Sequence, residues 1–73
     1  MKVCCIKSFT IQKFDNDGFE ENKNMTVEKG TIWSVQQEEK YKIIGGEVRL
    51  ENDNLEWLEI SKEWFNTHFK EEK

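Results

Sequence analysis

Seventy-three residues make one domain, expected over 1–73, near the lower size at which a single apolar core sustains a fold without metals or disulfides. Hydrophobic and charged residues each contribute 36%, but nine aromatic side chains and the absence of proline exclude a disordered tail. A formal net charge of −4 argues against a phosphate backbone as the partner.

The chain opens Met1-Lys2-Val3-Cys4-Cys5-Ile6-Lys7, with four apolar residues before Lys7 interrupts. A signal peptide needs an apolar run of about 7–15 residues and a membrane span about 20, so neither is expected and the location is read as cytosolic. Adjacent Cys4 and Cys5 point to opposite faces of a strand, which makes a mutual disulfide strained. Without a CxxC pair and with a single histidine no zinc set is expected; both cysteines read as reduced thiols, one buried and one near the surface.

A first strand is predicted over 3–14, with Cys5, Phe9 and Ile11 on one face and Ile6, Ser8, Thr10 and Gln12 on the other. Lys7 falls on the apolar face and Phe14 breaks phase, which calls for a bulge or a strand end. Asp15-Asn16-Asp17-Gly18 has turn composition, and the polar stretch 15–24 reads as the longest loop. Met25 and Val27 form a short strand that Lys29-Gly30 ends, and 31–37 resumes the sheet around Ile32, Trp33 and Val35.

Apolar residues then recur at every second position in short runs: Tyr41 and Ile43, Val48 and Leu50, Leu58 and Ile60. Gly45-Gly46 is either a two-residue turn, pairing Ile43 with Val48 and Tyr41 with Leu50, or a bend at a barrel corner. Ser61 is placed to cap a helix over about 62–69, whose Trp64, Phe65, His68 and Phe69 form one stripe. Residues 70–73 are expected to fray. The fold class expected is mainly β, a small antiparallel barrel of five to six strands with a short C-terminal helix.

Few residues point to chemistry. If Gly18 took the sixth place of a calcium loop, Lys13 would stand first and Asn24 last, and neither can serve as ligand there. His68, the lone imidazole, sits on an amphipathic helix and reads as a packing residue rather than a general base. The pairs Glu56 with Glu59 and Glu20 with Glu21 have polar neighbours and read as solvated charges, and Gly30, Gly45 and Gly46 lack phosphate-loop spacing. No catalytic residue, metal or cofactor is assigned.

Recognition centres on tryptophan. If Leu58 and Ile60 face the core, Trp57 is left outside with Leu55, near Tyr41 or the long loop, either as an anchor for a partner or covered by the C-terminal helix or the long loop. Over 47–63, six carboxylates stand against Arg49 and Lys62 alone, a surplus equal to the whole net charge of −4. That acidic band, with Glu56 and Glu59 in it, offers a second mode of contact.

The run Lys29-Gly30-Thr31-Ile32-Trp33, the segment from Tyr41 through Gly45-Gly46-Glu47-Val48-Arg49-Leu50-Glu51, and Trp57-Leu58-Glu59-Ile60-Ser61 before an aromatic helix carry a resemblance. Over 25–69 the chain resembles small uncharacterised proteins of Gram-positive bacteria and their phages and prophages. The resemblance implies an SH3-like β-barrel and no activity. The function expected is a non-enzymatic protein-interaction module that binds a host or viral protein through Trp57, Tyr41, Leu55, Glu56 and Glu59. An acidic mimic of nucleic acid that blocks a basic nuclease or regulator is the alternative. Direct binding of RNA or DNA by exposed aromatics ranks third, for want of a basic groove. A monomer or an edge-paired dimer fits the pattern.

Overall fold

In the computed structural model, which describes residues 1–38 and 42–72, strand alternation sets the architecture. The elements run β1 (Lys2–Cys5), β2 (Phe9–Phe14), β3 (Glu20–Val27), β4 (Ile32–Gln36), β5 (Val48–Glu51), β6 (Trp57–Ile60), α1 (Lys62–His68) and β7 (Phe69–Glu71). Five strands form one antiparallel sheet in the order β6-β5-β4-β1-β7, and β2 and β3 form a separate hairpin.

Register explains the core. Val3 lies opposite Trp33, Cys5 opposite Phe69, Leu50 opposite both Val35 and Leu58, and Val48 opposite Ile60. Because side chains alternate across a strand, these residues share one face. The hairpin places Phe9 opposite Val27 and Ile11 opposite Met25, and those four residues pack against the same cluster. Leu50, Val3, Val27 and Cys5 are the most completely buried side chains. Each large apolar side chain so buried contributes roughly 1.5–3 kcal/mol of transfer free energy.

The mainly β class with a short C-terminal helix is observed. Closure of the barrel is not: among the described residues β6 and β7 are the two ends of an open sheet. The strand expected over 3–14 divides into β1 and β2. Around the exposed Ile6 and Lys7 the chain turns, while the Ile6 amide donates to His68 O at 2.8 Å and the Lys29 amide to Ser8 Oγ at 2.8 Å.

The loop expected over 15–24 shrinks to a turn over 15–19, because Glu20 already pairs with Phe14. Pairing shifts between Gln12 and Phe14, which is the bulge that the out-of-phase Phe14 calls for. The polar residues from Glu20 to Asn24 read as loop because most of them are exposed while their backbones still pair.

Gly45-Gly46 forms no strand hairpin. Leu50 pairs with Val35 and Leu58 instead, and Tyr41 lies outside the described residues. Residues 70 and 71 do not fray either. They continue β7 along β1, and the Glu72 amide donates to Lys2 O at 2.9 Å. Backbone pairing needs no apolar side chain, so hydropathy gave no warning of this strand.

α1 forms where Ser61 caps it: Ser61 Oγ accepts from the Trp64 amide at 3.1 Å, and Glu63 sits in the first turn. His68 is buried, stacked on Trp64 at 4.1 Å between ring centroids and met edge-on by Phe9 at 5.1 Å. Its Nδ1 lies 2.7 Å from Thr67 Oγ1 and 3.0 Å from Trp64 O, so the imidazole serves packing as expected. Among the described residues no helix is long and apolar enough to cross a membrane.

Candidate functional site

On the face of β5 and β6 away from the core, register sets Arg49 opposite Glu59 and Glu51 opposite Trp57. This face is held by directed polar contacts. Arg49 Nε donates to Glu51 Oε2 at 2.9 Å, Nη1 reaches Glu59 Oε2 at 3.4 Å, and the guanidinium lies 4.4 Å from the centre of the Trp57 ring.

Glu59 is not on the wet surface that its alternation predicts. Its carboxylate is fully enclosed and accepts from the Ile43 amide at 2.8 Å, the Ile44 amide at 3.3 Å and the Gly46 amide at 3.0 Å, besides Arg49. A buried charge persists only when paired and hydrogen-bonded, and here three backbone donors and a cation do both. The arrangement explains Gly46: a Cβ there would run into the Glu59 Cβ and lie 3.0 and 3.1 Å from its backbone. The acidic band over 47–63 is therefore discontinuous, with Glu59 inside and Glu51 paired to Arg49.

Two turns close the site at one end, and they are built alike. In the β2–β3 turn, Asp15 Oδ1 accepts from the amides of Asp17 at 2.9 Å and Phe19 at 3.0 Å. The Asp15 amide donates to Phe19 O at 2.9 Å and the Gly18 amide to Asp15 O at 3.0 Å. In the β5–β6 turn, Asn52 Oδ1 accepts from the amides of Asn54 and Glu56, both at 3.0 Å. The Asn52 amide donates to Glu56 O at 3.0 Å and the Leu55 amide to Asn52 O at 3.3 Å. Both are three-residue hairpin loops whose third residue is left-handed. That position is Gly18 with φ 85° in the first turn and Leu55 with φ 63° in the second.

The turns meet through Trp57, whose Nε1 donates to Asn16 Oδ1 at 3.1 Å. Gly18 approaches the segment that covers Glu59, since a Cβ there would lie 3.3 Å from Ile43 O. Contacts thus run from Glu59 to the 43–46 segment, to the first turn, to Trp57 and through Arg49 back to Glu59.

Trp57 lines two open clefts of about 290 Å³ each. One is bounded by Lys13, Phe14, Asp15, Glu21, Leu55 and Glu56; the other by Arg49, Glu51, Asn52 and Leu55. Leu55 is 92% exposed and Phe19, in the opposite turn, 70%. Of the residues predicted for binding, the structure gathers Trp57, Leu55 and Glu56 at this end and moves Glu59 inside as their support. Asn16, Phe14 and Arg49 escaped the sequence reading. Arg49 was the one with a signal, as the single guanidinium in an acidic segment.

Elsewhere, Cys5 is buried, with its Sγ 3.2 Å from Lys7 O, and burial pushes its thiol above the ordinary 9.0. Cys4 is half-buried, and both are free. Among the described residues no three histidine, cysteine or acidic side chains stand together as metal ligands would. No family model matches the chain, and no curated protein and no solved structure matches it either.

Proposed function

We propose that this chain is a non-enzymatic protein-interaction module whose contact surface is the end formed by the turns 15–19 and 52–56. One observation carries the reading: a leucine, 92% exposed, occupies a left-handed position that its twin turn gives to glycine. A leucine there costs about 1–2 kcal/mol against glycine. Its side chain offers the isolated fold nothing in exchange. Beside it, half-buried Trp57 borders open clefts, the kind of aromatic anchor that dominates protein interfaces.

An opened SH3-like barrel is the fold we propose. The order of elements supports it: a strand, a projecting hairpin, a three-strand meander, a short helix and a last strand returning to the first. The resemblance to phage and prophage proteins supports a host or viral protein as partner. Nucleic-acid mimicry is not favoured, because Glu59 is buried and Glu51 is held by Arg49.

Capture from a Gram-positive lysate tests the reading, with the parent chain compared to Leu55→Gly and Trp57→Ala. The specific partner of the parent should be lost with both variants while each keeps its folded circular-dichroism spectrum. Capture by Leu55→Gly equal to that of the parent refutes the surface.

A further inference from the structure

We infer that the cleft between Phe14 and Trp57 receives an arginine side chain from the partner protein. The inference rests on the contact surface proposed above and specifies its chemistry. Two aromatic rings and Leu55 give the cleft apolar walls, and Asp15, Glu21 and Glu56 give it carboxylates. Among the described residues Lys13 is the one cation on this lining, against three carboxylates. Asp15 and Glu56 are fixed by the turns: Asp15 Oδ1 holds the amides of Asp17 and Phe19, and Glu56 Oε1 accepts from Asn52 Nδ2 at 2.9 Å. Glu21 has Lys23 at 3.4 Å, on a lysine that is 62% exposed, a weak surface pair that a better cation can replace.

A planar guanidinium fits such a place better than an ammonium, because it stacks on an aromatic face while its edge donates to carboxylates. The molecule already displays this mode once. Arg49 lies over Trp57 at 4.4 Å and donates to Glu51, and it borders the second cleft rather than the first. The first cleft repeats the ingredients, an indole with carboxylates alongside, and its exposed Leu55 is placed to meet the apolar neighbour of the incoming arginine.

The test is a nitrogen-15 NMR titration of the full chain with acetyl-Gly-Arg-Leu-amide and with the same peptide carrying citrulline, which keeps the shape and removes the charge. The arginine peptide should move the Trp57 indole resonance and the amides of Phe14, Asn16 and Glu56 saturably, and the citrulline peptide should bind about tenfold more weakly. Glu56→Gln, which keeps an oxygen for Asn52, should weaken the arginine peptide severalfold. Equal binding of the two peptides, shifts confined to another surface, or no saturable shift at millimolar peptide overturns the inference. Failure of the arginine peptide with Leu55-dependent capture intact removes this assignment alone. Loss of the Leu55 dependence removes the contact surface itself.

Discussion

The turns at 15–19 and 52–56 share four hydrogen bonds and differ at the position where the backbone turns left-handed. Gly18 follows from the backbone alone: its φ is 85°, and a Cβ would press on Ile43 O at 3.3 Å. Leu55 at φ 63° follows from neither need, since it is 92% exposed. On the proposed reading the pair separates folding from function within one molecule. Asp15 and Asn52 close both turns alike, so the turn itself does not select leucine over glycine at the left-handed position of the second.

The largest effect is expected at the buried carboxylate behind the turns. Glu59→Gln puts an amide NH₂ among three backbone donors and removes the charge that faces Arg49, so urea denaturation should register a loss of about 3 kcal/mol. A loss no larger than that of a surface carboxylate would show that the 43–46 segment stands without it. Asp15→Ala and Asn52→Ala each remove a side-chain oxygen that accepts from two amides, and should cost about 2 kcal/mol apiece, with the Asn52 bond to Glu56 adding to the second. A smaller loss for Asn52→Ala than for Asp15→Ala would break the equivalence of the turns. Gly18→Ala should cost on the order of 1 kcal/mol for its left-handed backbone, with the approach to Ile43 O adding to it. No destabilisation there would mean that the first turn does not need its glycine.

The inner face of the sheet was legible because apolar alternation has one cause, burial against a core. Cys5, Phe9, Leu50, Leu58 and Ile60 are buried where their alternation puts them, and of Ile32 and Trp33, which alternation alone does not order, Trp33 takes the core. The outer face was not. Glu59 occupies an alternate position beside Trp57 and reads as solvated, and what buries it is a segment distant in sequence whose amides converge on the carboxylate. Asp15-Asn16-Asp17-Gly18 was readable as a turn because glycine marks positive φ. Asn52-Asp53-Asn54 was readable as the polar connection between two strands, but Leu55 was not readable as its left-handed last residue, since a leucine followed by Trp57 looks like the start of a strand. β7 was missed because its Lys70 and Glu71 are exposed and only their backbones pair.

The stability of Leu55→Gly tests the central claim most directly, because it asks whether the exposed leucine is retained against the interest of the fold. Relief of the left-handed strain should raise the urea midpoint, at an unchanged slope, by the equivalent of about 1 kcal/mol. A lower midpoint would mean that Leu55 supports the fold it stands on, and the contact surface would lose the observation that carries it.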